Sequence, residues 1–147
     1  MAMQHTPLLM SKIIDRGAKV APNEEIVTAT ENGVRRQTYK ETRDRAHQLA
    51  HALADAGIAV GDRVGTFMWN GSRHLEAYQA CAGMGAVLHT LNIRLSEKDL
   101  EYIINHAEDQ IIIVDADILP LLEKLEGKMP LSLIHIDAAD ERNSGGG

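Results

Sequence analysis

The sequence lacks the features that mark several large classes of protein. It has a single cysteine, Cys81, which excludes an internal disulfide and favours a reducing, cytoplasmic location. No apolar run approaches the roughly 20 residues of a membrane-spanning helix, and the first residues do not have a signal-peptide layout. Aromatic residues are limited to one Trp, three Tyr and one Phe, no basic cluster exceeds Arg35-Arg36, and the net charge is −6. Nucleic-acid binding is therefore not expected.

Several short motifs with defined chemistry are also missing. There is no G-x-G-x-x-G after a strand and no G-x-x-x-x-G-K-[ST], so neither common nucleotide-binding loop is present. His47 and His51 have the spacing of metal ligands, but Gln48 stands where a zinc protease needs Glu, and no third ligand is evident. We therefore expect two solvated histidines and no metal site. Cys81 lies between two alanines of a predicted helix, which favours a buried, inert thiol.

What is present indicates an α/β fold. Three short apolar runs, at residues 64–69, 86–91 and 111–114, are separated by two segments of helical periodicity. Parallel strands need long, usually helical crossovers, and they are continuously apolar because both of their faces are covered. The sequence therefore predicts a layered α/β domain with a mainly parallel sheet flanked by helices. We place it at residues 8–138 and expect a flexible tail at 139–147.

A helix and a β-hairpin are predicted at the start of this domain, ahead of the three apolar runs. Residues 8–20 have helical apolar spacing, with Leu9, Met10, Ile13, Ile14 and Ala18 as the apolar positions. Asn32-Gly33 separates two runs rich in β-branched residues, which is a strong signal for a hairpin turn.

Helix starts are marked by capping residues. Thr38 and Glu41 have the spacing of a capping box at the start of the clearest predicted helix, and Leu53 lies at the centre of its apolar face. Three later helices are predicted to begin with caps at Ser72, Ser96 and Asp117.

Polar residues follow the predicted strands. Asn70, Asn92 and Arg94 lie just past strand carboxyl ends, where open α/β sheets bind ligands. We take them, together with His89, as substrate-proximal candidates, with turn formation and helix capping as alternative roles.

Asp115-Ala116-Asp117 follows an apolar strand, as the nucleophile and acid of haloacid-dehalogenase-like phosphatases do. The alternative there is a strand-end Asp followed by a helix-capping Asp.

A longer series of segments is specific in its order and spacing. It consists of T-Y-x-E at 38–41, R-A-x-x-L-A-x-x-L at 45–53, G-I-x-x-G-D-R-V at 57–64, W-N at 69–70 with Glu76, G-A-V-L-H-T-L-N-x-R-L at 85–95, L-x-Y-I-I-N-H-A-E at 100–108 and I-I-I-V-D at 111–115. The series resembles the N-terminal part of an AMP-forming acyl-CoA synthetase, of the medium- or long-chain fatty-acyl-CoA ligase type. The resemblance covers about residues 8–137.

This resemblance implies a parent enzyme that activates a fatty acid with ATP and Mg²⁺ to an acyl-adenylate and then transfers the acyl group to coenzyme A. The phosphate loop ending in P-K-G, the adenine pocket, the metal-binding Glu, the ribose-binding Asp and the catalytic Lys of that family are absent here. No catalytic residue can be assigned, and this piece alone is expected to be inactive and to bind none of these cofactors tightly.

The rest of the parent chain is the expected partner. Without it, the segments IIIV (111–114) and LSLIHI (131–136) are expected to expose apolar surface and cause self-association. A stand-alone α/β binding or interaction module remains the alternative to the ligase.

Overall fold

The computed structural model describes residues 7–31, 33–125, 127–129 and 132–136, the last segment by its backbone alone. Its elements in chain order are α1 (Ser11–Val20), β1 (Glu25–Thr30), β2 (Gly33–Thr38), α2 (Tyr39–Asp55), β3 (Arg63–Phe67), α3 (Ser72–Met84), β4 (Val87–Thr90), α4 (Glu97–Ala107), β5 (Ile111–Asp115), α5 (Leu119–Glu123) and β6 (Ser132–Ile136).

The chain divides into two compact units. The first, termed the hairpin–helix unit, contains the residues up to 60 and residues 71–86, and so holds β1, β2 and the helices α1, α2 and α3. The second, termed the sheet unit, contains residues 61–70 and those from 87 onward, and holds the other four strands with α4 and α5.

The predicted hairpin is confirmed. β1 and β2 pair in antiparallel fashion, and the register joins Thr30 to Gly33. Gly33 is therefore the first residue of the second strand and not a residue of the turn. Its φ of 126° is a backbone conformation that glycine adopts readily and other residues rarely do. Asn32, the other predicted turn residue, lies outside the described residues.

Two of the four predicted helix caps are confirmed. The Glu41 N–H donates to Thr38 Oγ1 at 3.2 Å and the Thr38 N–H donates to Glu41 Oε2 at 2.8 Å, so a complete capping box opens α2. At α4, the Asp99 N–H donates to Ser96 Oγ at 3.2 Å.

The other two cap predictions are wrong. Ser72 is the first residue inside α3, where Gly71 takes the capping position. The capping position of α5 is Ile118, without a side-chain cap, because the Asp117 carboxylate is engaged elsewhere.

The three helices of the hairpin–helix unit pack against one another through small side chains. α2 contacts both α1 and α3, and α1 also contacts α3. The buried alanines are Ala18, Ala46, Ala77 and Ala80, and Leu53 is fully buried, as its place on the predicted apolar face requires. Gly17 shows how close the approach is, because a Cβ there would lie 3.2 Å from the Tyr39 ring.

The sheet unit has strand order β4-β3-β5-β6, and all three strand pairs are parallel. The predicted parallel sheet flanked by helices is thereby confirmed. Residues 111–114 are each 5% exposed or less, so the expectation that IIIV leaves apolar surface in water is wrong. The side chains of LSLIHI lie outside the described residues.

Helices α4 and α5 supply the core of the sheet unit. Phe67 on β3 and Ile112 and Val114 on β5 pack with buried residues of the two helical segments, namely Leu100, Ile104, Ile118, Leu122 and Leu125. Within the described residues, every helix is too short or too polar to cross a lipid bilayer.

Candidate functional site

The carboxyl ends of the parallel strands form one edge of the sheet, and the candidate site lies there. The chain leaves β3 at Phe67, β4 at Thr90 and β5 at Asp115, and parallel pairing brings these three exits to the same edge. Asn70 and Arg94 are both exposed in the connections that follow. Open α/β sheets bind ligands at such an edge.

Trp69 is held at this edge by two carboxylates. Its backbone N–H donates to Asp115 Oδ2 and its indole Nε1–H donates to Asp117 Oδ2, both at 2.8 Å. Trp69 nevertheless remains 49% exposed. The pair of hydrogen bonds fixes the orientation of the largest aromatic side chain of the protein. The sequence signal for these hydrogen bonds is a tryptophan after one strand together with Asp-x-Asp at the end of the neighbouring parallel strand.

Asn92 forms a turn, which is one of the alternative roles predicted for the polar residues after the strands. Its Oδ1 accepts the backbone N–H of Arg94 at 3.0 Å, which is the hydrogen bond of an Asx-turn. The turn shapes the connection between β4 and α4 and leaves the Arg94 side chain exposed. Asn70, Asn92 and Arg94 therefore share the carboxyl edge.

His89 is placed apart from the other three candidates. Its Nδ1 lies 2.8 Å and 3.1 Å from the two carboxylate oxygens of Asp109, whose side chain is fully buried. Asp109 precedes β5, at the amino edge of the sheet. The structure therefore joins His89 to a carboxylate at the edge opposite the one where Asn70 and Arg94 lie.

Gly65 provides the space for this His–Asp pair. It is opposite both His89 and Ile112 in the strand register, and a Cβ at Gly65 would lie 3.3 Å from Asp109 Oδ2. Burial raises the pKa of Asp109, and the hydrogen bond with His89 opposes that shift. A glycine inside a strand often marks such a close approach, so Gly65 is the signal by which the pair could have been suspected.

A second buried polar cluster lies in the hairpin–helix unit. Glu76 Oε1 on α3 accepts from Gln37 Nε2 at 2.7 Å and from Arg45 Nε at 2.8 Å. Gln37 also donates to Thr42 Oγ1 at 2.9 Å. Because Gln37, Thr42 and Glu76 are buried, these hydrogen bonds link β2, α2 and α3 inside the unit. Of its members, only Glu76 and Arg45 stood out in the sequence, through the motif series.

The remaining candidates from the sequence have ordinary environments. Cys81 is buried, and burial raises its pKa to about 11, which keeps the thiol protonated and unreactive. His47 Nε2 lies 3.6 Å from Asp15 Oδ1, and His51 is exposed. Among the described residues, no three His, Cys, Asp or Glu side chains are grouped so that they could hold a metal ion.

Comparison with known proteins identifies the family. The sequence pattern of the AMP-binding enzymes matches residues 14–145. The chain is 43% identical over 141 residues to the long-chain-fatty-acid–CoA ligase of Thermus thermophilus, which is 95% of this chain and 26% of that protein. It is 45% identical over 122 residues to the 3-methylmercaptopropionyl-CoA ligase of Ruegeria pomeroyi, or 82% of this chain and 23% of that protein.

A solved structure gives the same fold. The N-terminal domain of FACL13 from Mycobacterium tuberculosis matches with a TM-score of 0.81 and 24% identity, covering 92% of this chain and 36% of that one. The chain thus spans about a quarter of the length of the curated relatives it matches. The resemblance to acyl-CoA synthetases is confirmed, and the family pattern covers most of the sequence. The chain belongs to the AMP-binding enzyme family.

Proposed function

We propose that this chain is the N-terminal part of an AMP-forming acid–CoA ligase that works in the cytoplasm. The observation that carries the proposal is the identity of 43% and 45% with two CoA ligases over 95% and 82% of the chain. In the full-length enzyme, a carboxylic acid and ATP would form an acyl-adenylate and pyrophosphate, and coenzyme A would then take the acyl group.

The phosphatase alternative has no support, because Asp115 and Asp117 both bind Trp69 and the family is a different one.

The substrate we propose is a medium- or long-chain fatty acid. The support for it is the segment H-T-L-N-x-R-L at 89–95, which is typical of that branch of ligases. Sequence identity does not decide the acid, since relatives named for a long-chain fatty acid and for 3-methylmercaptopropionate are almost equally similar.

The residues of this chain do not fit a site for ATP, Mg²⁺ or coenzyme A. The sequence has no phosphate-binding loop, and the described residues contain no group of metal ligands. The rest of the parent would therefore hold these groups. We assign to this chain a scaffold role and one wall of the acyl site, formed at the carboxyl edge by Asn70, Asn92 and Arg94. His89, bound to Asp109, would act there only by positioning its strand.

The test is fatty-acid-dependent exchange of pyrophosphate into ATP. The full reading frame that contains this sequence is expected to catalyse the exchange and, with coenzyme A, to form a thioester. The 147-residue chain is expected to remain at background. A full-length protein that is folded but inactive on acids of every chain length would overturn the ligase proposal and favour a binding module. Exchange by the isolated chain would overturn its assignment as a scaffold.

The same assay tests the assigned wall. Arg94→Gln in the full-length enzyme should raise KM for the acid severalfold without changing kcat, because a contact made equally in ground and transition states affects only binding. Arg36→Gln, an exposed arginine of the hairpin paired with Glu25, is the matched control and should change neither constant. An unchanged KM in Arg94→Gln would remove Arg94 from the proposed wall.

A further inference from the structure

The order of the strands marks one position on the carboxyl edge of the parallel sheet. That order is β4-β3-β5-β6. From β3 the chain passes to β4 on one side, and it later returns to β5 on the other side of β3, from where it continues outward to β6. The connections that follow β3 and β5 therefore lead away from each other. Open α/β sheets bind ligands where such a reversal occurs, which here is between the ends of β3 and β5.

Trp69 lies at this reversal point. It follows shortly after β3, and the two carboxylates that bind it, those of Asp115 and Asp117, lie at the end of β5 and just beyond it. All three residues belong to the sheet unit. The hydrogen bonds of Trp69 therefore connect the two strand ends between which the topology predicts a ligand.

The indole of Trp69 presents an apolar surface at this point. Its one polar hydrogen, on Nε1, is donated to Asp117, so the remainder of the ring offers carbon atoms alone. Trp69 is exposed although Phe67 and Met68, just before it, are buried. A large ring that is already held in one orientation packs against an apolar ligand without the loss of rotamer entropy that a free side chain incurs.

The charges near the indole determine which part of a fatty acid fits there. Asp115 and Asp117 bring negative charge to the reversal point, so the carboxylate of an acid is repelled from it. Exposed positive charge at the same edge is supplied by Arg94, which follows β4 on the other side of β3. A fatty acid at this edge would therefore direct its apolar chain toward Trp69 and its carboxylate toward the side of Arg94.

We propose that Trp69 is a specificity-determining residue that packs against the apolar chain of the acid, and that Asp117 positions its indole. This role rests on the proposed ligase function and adds the residue of the acyl wall that contacts the chain. Trp69 contributes to binding and not to bond making, and Asp117 acts only through Trp69. The alternative is a purely structural role, in which the hydrogen bonds do no more than join the ends of β3 and β5.

The first experiment measures KM of the full-length enzyme for straight-chain acids from butanoate to hexadecanoate. The KM of Trp69→Ala relative to the wild type should rise with chain length and reach about tenfold for the longest acids, because longer chains lose more apolar contact. The value of kcat should stay unchanged, since the contact is made equally in the ground and transition states. A KM raised by the same factor for every acid would indicate the structural role and overturn the proposal.

Variants of Asp117 test the positioning role. Asp117→Ala should show the same dependence on chain length with a smaller effect, about threefold, because the indole remains but must be ordered on binding. Asp117→Asn keeps an amide oxygen that accepts the indole N–H, so it should restore the KM of the wild type. Tyr102→Ala removes another exposed aromatic side chain, from α4, and serves as the control that should change KM for none of the acids.

Fluorescence of the 147-residue chain tests the positioning without any activity. Trp69 is the only tryptophan, so selectively excited tryptophan emission comes from it alone. Asp117→Ala should lower the fluorescence anisotropy, because a released side chain reorients within nanoseconds, whereas Asp117→Asn should not. Equal anisotropy in Asp117→Ala and the wild type would show that Asp117 does not hold the indole.

A full-length protein that is inactive on every acid would overturn the ligase proposal and, with it, the role of Trp69 in binding the acid. An active ligase whose KM is unchanged in Trp69→Ala at every chain length would overturn the role of Trp69 alone and leave the ligase proposal in place.

Discussion

The two units of this protein have interiors of different chemistry. The sheet unit is filled by large apolar side chains such as Phe67, Ile104 and Ile112. The hairpin–helix unit packs alanines and places Gln37, Thr42 and Glu76 in its interior, joined by hydrogen bonds. An apolar core tolerates changes of shape at modest cost, whereas a buried polar group that loses its partner carries the full penalty of desolvation. The units should therefore respond differently to conservative substitutions.

The largest effect is expected where an unpaired charge enters the hairpin–helix unit. Leu53 is fully buried on α2, so Leu53→Asp places a carboxylate among apolar side chains. This should cost at least about 4 kcal/mol, which is comparable with the whole stability of a small domain. Ala52→Asp, an exposed change on the same helix, should cost less than about 1 kcal/mol. Thermal unfolding followed by circular dichroism compares the two, and equal melting temperatures would show that the helix packs through another face.

The polar cluster gives the direct test of the comparison. Glu76→Ala removes the acceptor of both Gln37 and Arg45, and we expect a loss of about 2–3 kcal/mol in the free energy of unfolding. The exposed pair of Glu97 with Lys124 should lose less than about 1 kcal/mol when Glu97 is changed to Ala.

The conservative change in the sheet unit completes that test. Ile104→Val removes one methyl group from the apolar core and should cost about 1 kcal/mol. Urea titrations measure all three variants. If Glu76→Ala is no more costly than Ile104→Val, the polar cluster does not hold its unit together as we infer.

Gly→Ala substitutions should change the free energy of unfolding in opposite directions in the two units. In the sheet unit, Gly65→Ala puts a Cβ 2.9 Å from Ile112 Cγ1, and the crowding should cost about 1–3 kcal/mol. In the hairpin–helix unit, Gly83→Ala meets nothing closer than 3.9 Å inside α3 and should stabilise by about 0.5–1 kcal/mol. Chemical denaturation of the two variants tests this, and destabilisation by both would mean that α3 is packed more tightly at Gly83 than the structure indicates.

The smallest expected effect is a difference in the pH dependence of stability. Burial raises the pKa of Asp109 above its usual 3.8, so the folded state holds this proton more tightly than the unfolded state. The stability that this proton contributes is therefore present below pH 3.8 and is lost as the pH rises through the folded pKa. Hydrogen bonds from Lys40 and Arg43 instead lower the pKa of Asp44 to about 2, so its contribution is lost as the pH falls through that value.

Two substitutions separate these contributions. The stability of the wild type relative to Asp109→Asn should decrease from pH 4 upward, in the range above the usual Asp pKa of 3.8. Relative to Asp44→Asn, it should decrease toward acid pH instead. Unfolding curves at several pH values measure both differences. A wild type that gains stability over Asp109→Asn as the pH rises would contradict the raised pKa.

The elements of both units were largely predictable because their signals are local. The capping box of Thr38 and Glu41, the hairpin at Gly33 and the apolar run at 111–114 depend on neighbours a few residues away. The cap predictions failed at Ser72 and Asp117, where competing contacts come from distant parts of the chain. The Ser72 N–H donates to Thr28 Oγ1, 44 residues earlier, and Asp117 binds the indole of Trp69, 48 residues earlier.

The candidate site was predicted only in outline. The order of strands and crossovers determined that Asn70, Asn92 and Arg94 follow strand ends, since parallel strands place those ends at one edge. The sequence did not show that His89 lies apart from these three residues. Its partner Asp109 is 20 residues away along the chain, and the two side chains meet only because Gly65 leaves space between them.

The sequence by itself determined the family, the parallel sheet and most of the helix and strand boundaries, since these follow from periodicity, capping and the order of motifs. The tertiary structure alone decided which apolar face is covered. The spacing in α1 and in 111–114 marks both segments as apolar, yet residues 111–114 are buried while Ile13 is 64% exposed. Periodicity records which side chains share a face, but burial depends on what the rest of the chain brings against that face.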